Sequence, residues 1–160
     1  MTRIPFDNIV NQSSVSGTIP NGYYNLNWNN IQYINVSTIL DGGYQTLMSV
    51  PPYVIHNPTG SAMTITSTNG TRFFFNSFNT TAAWRNNLLM NIQGYRSGTL
   101  TFNFTTPIFV SNQTVVRCSS SVCSDLDTLI ISTSRRITVS GLNGTGTQMV
   151  IDDFCVSFGY

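Results

Sequence analysis

Apolar residues in this chain recur at alternate positions rather than at helical spacing. Leu88, Met90 and Ile92 alternate with Asn91 and Gln93, and Phe154, Val156 and Phe158 repeat the same period of two. Successive side chains on a strand point to opposite faces, so this period predicts strands buried on one side. Such runs lie near residues 4–10, 30–36, 44–50, 52–56, 61–67, 71–78, 87–95, 98–105, 107–110, 113–118, 126–132, 136–140 and 148–158. Turn signals separate them. Gly94-Tyr95-Arg96-Ser97-Gly98 predicts a hairpin, and Pro51-Pro52 places its run at a sheet edge or a strand start. No window of 11–18 residues carries a helical period; Thr80 to Met90 permits one turn. Short strands at this spacing predict an all-β, antiparallel β-sandwich or jelly roll. Residues 1–160 read as one domain, with residues 1–10 as a first strand and Ser-rich residues 11–18 as a linker.

Composition changes the picture at one point. Of 160 residues, 41% are hydrophobic, too many for wholesale disorder, and no apolar run approaches the ~18 residues of a membrane span. Only 8% are charged, against about 25% in ordinary soluble domains. All seven cations are Arg and all six anions are Asp; Lys and Glu are absent. Asn, Ser and Thr take their place, with 18, 18 and 21 residues. Asn-x-Ser/Thr sequons occur at Asn11, Asn35, Asn69, Asn79, Asn103, Asn112 and Asn143, so N-linked glycans are expected. In Thr99 to Thr105 the alternation sets Asn103 opposite to Leu100, Phe102 and Phe104, so a glycan there would face solvent. Asn69 and Asn143 precede Gly, a turn signature. Charges this sparse give weak colloidal repulsion, so glycans or neighbouring copies must shield the surface.

The three cysteines are Cys118, Cys123 and Cys155. A Cys118–Cys123 bridge closes a short loop, leaving Cys155 either as a buried thiol or as an intermolecular link. The bridge and the sequons together predict an extracellular protein. Met1 to Pro5 lacks an apolar signal-peptide core, which this reading reconciles as a mature or trimmed chain.

Little catalytic chemistry is available. His56 is the single histidine, and neither a nucleophile elbow nor an oxyanion motif accompanies it. Asp125 and Asp127 share a strand face, with turn chemistry beside the cysteine loop as their expected role. The Gly-rich stretches lack the Lys-Ser/Thr of a phosphate cradle, and seven dispersed arginines make no nucleic-acid footprint. The expectation is a non-enzyme that binds no nucleic acid. One constellation stands out: if the first and last strands pair, Asp7 approaches Asp152 and Asp153. Three carboxylates so placed either hold a structural Ca²⁺ or cap backbone N–H groups at the strand ends.

The segment Ile19-Pro20-Asn21-Gly22-Tyr23-Tyr24-Asn25-Leu26-Asn27-Trp28-Asn29-Asn30 resembles the "IPNGYxGLNWxN" signature of a family of secreted β-sandwich domains, found in fungal extracellular proteins and bacterial exported proteins with sorting tails. Phe6-Asp7-Asn8-Ile9 is similar to the family's opening "FDDL". Thr81-Ala82-Ala83-Trp84, Gly94 to Thr99, Leu126 to Ile131 and Val150 to Val156 follow in the family's order, so the likeness spans nearly the whole chain. It implies a galactose-binding-like jelly roll and no established activity. Tyr23, Tyr24 and Trp28 then either form a sugar-stacking platform or pack in the core.

Two functions fit these features. The first is a non-catalytic extracellular structural subunit that assembles with copies of itself into a fibre, wall or surface layer. There Ile4, Phe6 and Ile9 of the first strand would insert into a neighbour. The second is a monomeric carbohydrate-binding module or lectin with a structural Ca²⁺, its partner a polysaccharide.

Overall fold

The computed structural model describes residues 1–48, 51–134 and 146–159, together with the backbone of 137–138. In chain order the strands are β1 (Thr2–Arg3), β2 (Ser16–Thr18), β3 (Leu26–Asn29), β4 (Gln32–Asn35), β5 (Tyr53–His56), β6 (Met63–Ser67) and β7 (Phe73–Ala82). They continue with β8 (Arg85–Asn86), β9 (Leu88–Arg96), β10 (Thr99–Ile108), β11 (Thr114–Arg117), β12 (Thr128–Ser134), β13 (Ile137–Thr138) and β14 (Met149–Phe158). Among the described residues a short α-helix, α1 (Gly43–Thr46), and 3₁₀ turns at Val36–Thr38 and Ser121–Cys123 interrupt them.

Two antiparallel sheets form a β-sandwich of jelly-roll type. One runs β11-β7-β14-β5-β4-β2, with β1 also on β14; the other runs β10-β9-β12-β6-β3. Strand β14 organises the first sheet. Its one edge pairs with β7 from Met149 to Phe158, while its other edge takes β5 at Val150–Ile151 and β1 at Cys155–Val156. The alternation predicts the interior well: Leu88, Met90 and Ile92 are buried, as are Phe154 and Val156. Between the sheets Phe75, Phe78 and Phe154 pack as an aromatic group, with Phe78 stacked on Phe154.

Several local expectations fail for identifiable reasons. Residues 44–50 read as a strand, but Gly43–Thr46 is helical and buries Tyr44 and Leu47, three residues apart on one face. The Ser-rich linker instead carries β2, held to β4 from Ser16 to Thr18. In β10 a bulge between Leu100 and Phe102 puts Leu100 opposite Tyr95, not on the face of Phe102. Phe102 lies opposite Gly94, where a Cβ would stand 2.1 Å from the ring. The hairpin glycine is therefore required by the ring that covers it.

Candidate functional site

The carboxylate corner forms, without the geometry of a cation site. Strand β1 does pair with β14, bringing Arg3 opposite Cys155. A bulge between Asp152 and Cys155 turns Asp153 into the left-handed region (φ 52°) and re-aims its side chain. Asp153 then accepts from the Arg3 guanidinium and, at 2.9 Å, from Asn79 Nδ2. Asp152 Oδ1 accepts the Asp153 N–H at 2.8 Å, and Asp7 stays exposed. Partial burial opposes the charge on Arg3. Asp153, Asp152 and Asp7 outweigh that and raise its pKa above the ordinary value. Among the described residues no three His, Cys or acidic side chains gather as a metal-holding group. The residues therefore do not fit the expected Ca²⁺: Arg3 supplies the positive charge that Asp7, Asp152 and Asp153 call for.

The aromatic platform does not form either. Trp28 is 3% exposed, packed edge-on against Phe6 and Phe154, and donates its indole N–H to the Tyr23 carbonyl at 3.1 Å. Tyr23 donates its hydroxyl to the Pro5 carbonyl and lies 2.8 Å from Asn8 Oδ1. Burial, then Tyr24 and Asp7, push its pKa up to about 12. Tyr23 and Tyr24 meet at 71° and so offer no common plane to a sugar ring. The expected assembly residues lie in the chain's own core: Ile4, Phe6 and Ile9 are all buried, and the strand proper is Thr2–Arg3 before them. Exchange between copies would require an identical segment of a neighbour to refill those positions.

The Cys118–Cys123 disulfide is present, and Cys155 is a buried free thiol. Among the sequons, Asn11, Asn69, Asn103 and Asn112 are exposed. Asn35 donates its amide to the Ser14 carbonyl and Asn79 to Asp153, each at 2.9 Å. Asn143 lies outside the described residues. His56 is buried with its Nδ1 2.8 Å from the Tyr44 hydroxyl, and burial lowers its pKa to about 4.

A hollow that sequence reasoning missed lies where β7 begins and β14 ends, beside the disulfide loop. It has a volume of about 340 Å³, at the lower end for small-molecule sites. Phe74, Asn76, Ser157 and Phe158 line it from the strands, with Arg72 and Asp125 contributed by loops. Arg72 is clamped, donating from Nη1 to Asp127 Oδ2 at 2.7 Å and from Nη2 to Ser97 Oγ at 2.8 Å. Burial pushes the Asp127 carboxyl up, but the Ser97 N–H, the Thr128 hydroxyl and Arg72 hold it below its ordinary pKa. The Asp125 carboxylate, with its side chain 69% exposed, makes only a long, solvated ion pair with Arg96 at 3.9 Å. Asn76 accepts from Ser157 at 2.8 Å, while its amide nitrogen makes no hydrogen bond among the described residues. Acceptor, donor and apolar ring thus face one space. One signal was legible: in Phe73-Phe74-Phe75 the strand period buries the outer two and leaves Phe74 half-exposed.

Known structures resemble this fold. A DUF4465 family protein from Bacteroides caccae superposes with a TM-score of 0.66 over 99% of both chains at 9% identity. That likeness shows the fold alone. A family 61 carbohydrate-binding module in complex with β-1,4-galactotriose is similar with a TM-score of 0.41 over 84% of this chain and 87% of that one, at 9% identity. A family 4 carbohydrate-binding module scores 0.33 over 67% and 83%, at 11% identity. No protein-family description matches the sequence, and no curated protein is similar to it.

Proposed function

We propose that this protein is a non-catalytic extracellular carbohydrate-binding domain of the secreted sandwich group whose signature it resembles, and that it holds a neutral polysaccharide in the Phe74–Asp125 hollow. The observation that carries the reading is the set of groups facing that space. A sugar needs an acceptor for hydroxyl protons, donors for hydroxyl oxygens and an apolar surface for its C–H face. Asp125, the Asn76 amide with the Arg72 guanidinium, and the Phe74 ring, on the same sheet face as Asn76 and Ser157, supply these in turn. An aromatic face is electron-rich and suits such C–H groups. Arg72 is held in place before ligand arrives, which limits the entropy lost on binding.

The disulfide supports an extracellular setting, and the exposed sequons at Asn11, Asn69 and Asn112 supply sites for glycans there. The buried His56 offers no reactive group at the surface.

Affinity electrophoresis through gels containing galactan, mannan, xylan or β-glucan tests the reading. The wild type should be retarded by at least one of them. Asp125→Asn keeps a residue that tolerates the left-handed backbone there (φ 53°) and exchanges a charged acceptor for a neutral one, so retardation should weaken about 10-fold while the thermal melt is kept. Phe74→Ala should weaken it similarly. Unretarded wild type on every gel, or full retention by both variants, would overturn the assignment.

A further inference from the structure

Strand β10 forms one border of the five-stranded sheet, paired with β9 on one side only. At ten residues it is longer than the other border strands, β3, β11 and β2, which have four, four and three. Border strands usually carry charges, prolines or bulges that prevent further pairing. In Thr99–Ile108 there is no charge, and the bulge at Leu100/Phe102 and Pro107 guard only the ends. Phe102 to Thr106 is left as an open ledge of backbone.

Apolar surface lies beside that ledge. A hollow of about 210 Å³ separates β10 from the border strand of the other sheet, lined by Phe102, Phe104, Ile92, Val116, Val122 and the disulfide. A second hollow adjoins it along Phe104, Thr106, Val115 and Arg117. Phe104 is 48% exposed, and Val115 and Val122 are exposed beside it. Arg117 lines both hollows, so an added strand that fitted here would have to lack a cation; it would also carry bulky apolar residues two apart, because alternate side chains enter the same side. Phe102-Asn103-Phe104 of β10 itself has that pattern and an open backbone of its own.

We propose that a second copy of this chain docks here, β10 against β10 antiparallel about a two-fold axis at Asn103. This register sets Phe102 opposite Phe104 of the second copy, twice over, and closes both apolar hollows with aromatic rings. Cross-strand aromatic pairs are favourable, and two uncharged strands meet without repulsion. The five-stranded sheets become one ten-stranded sheet. Asn103 then faces its own counterpart, and a glycan on either side chain would stand between the copies. The interface avoids the Phe74–Asp125 hollow and does not depend on sugar binding.

The test uses full-length, disulfide-intact protein made without glycans, followed by sedimentation up to millimolar concentration. The wild type should shift from monomer to dimer with concentration. Phe104→Lys, at an exposed position, should remain monomeric with an unchanged melting temperature and unchanged polysaccharide retention. Asn103→Cys should yield a disulfide-linked dimer under mild oxidation, its sulfurs held on neighbouring strands. A wild type that stays monomeric, a Phe104→Lys variant that still dimerises, or an Asn103→Cys variant that fails to cross-link would each overturn the proposal.

Discussion

Two polar corners of the sandwich, both touching β14, use similar residues to opposite ends. At the first, Arg3, Asp153 and Asn79 close on one another, and Tyr23 is tied to Pro5 and Asn8. At the second, four residues further along β14 and so about 13 Å away, Arg72 is equally well clamped by Asp127 and Ser97. There, however, Asp125 and Asn76 line a hollow, and the Asp125 carboxylate has only a long, solvated pair with Arg96 at 3.9 Å. The difference lies in what each carboxylate meets. Asp153 is held by Arg3 and Asn79 at once, whereas Arg72 is fixed by Asp127 and leaves Asp125 to the looser contact. A tight pairing within the chain holds structure together. A loosely held acceptor beside a fixed donor is what the proposed sugar site would use.

The contrast can be broken most sharply at Trp28, which anchors the closed corner to the core. Trp28→Ala should destabilise the fold by about 3–5 kcal/mol in denaturant unfolding, as large truncations of buried aromatic residues do. A cost below 1 kcal/mol would show that the ring is not buried between Phe6 and Phe154.

A second test separates both corners from the enclosed Tyr44–His56 pair. His56 is neutral when folded, with its pKa lowered from 6.5 to about 4 by burial. Between those values the unfolded chain binds a proton that the folded chain does not, so stability is full above pH 6.5 and falls as the pH drops to 4. The loss should total about 3 kcal/mol and level off below pH 4. His56→Phe should flatten that window, and an unchanged slope in the variant would remove His56 as its cause. Acid loss at the Arg72–Asp127 clamp lies lower still, because Asp127 is held below the ordinary carboxylate range.

The smallest effect belongs to Arg3. Its ion pair with Asp153 is largely solvated, with side chains 60% and 41% exposed. Exposed pairs contribute about 0–1 kcal/mol, so Arg3→Gln should shift the melt only slightly, and less at high salt. If added calcium raised the melting temperature of the wild type, the closed corner would need to be redrawn around an ion.

The strand interiors were readable because burial on one face imposes a period that composition cannot hide. Leu88, Met90 and Ile92 needed no tertiary information, and the Cys118–Cys123 bridge followed from short spacing. The closed corner was half readable. Pairing of the terminal strands was anticipated, but the bulge that aims Asp153 at Arg3 leaves no mark on the alternation. Trp28 and Tyr23 stayed open between platform and core because an aromatic side chain has the same letter whether it faces solvent or Phe154. The hollow was nearly invisible, since it joins Arg72 and Phe74, Asp125, and Ser157 from three separate stretches.

What the chain alone determined, then, is local: where strands run, which faces are apolar, which loop is bridged, and that the surface is almost bare of charge. Each follows from the covalent period of the backbone and the chemistry of single residues. Tertiary structure decided which carboxylates are held tightly by arginines and which only loosely, because that depends on distances between segments far apart in sequence. It also decided that β10 lies at a border with an unpaired edge, since a strand's neighbours are a property of the whole sheet.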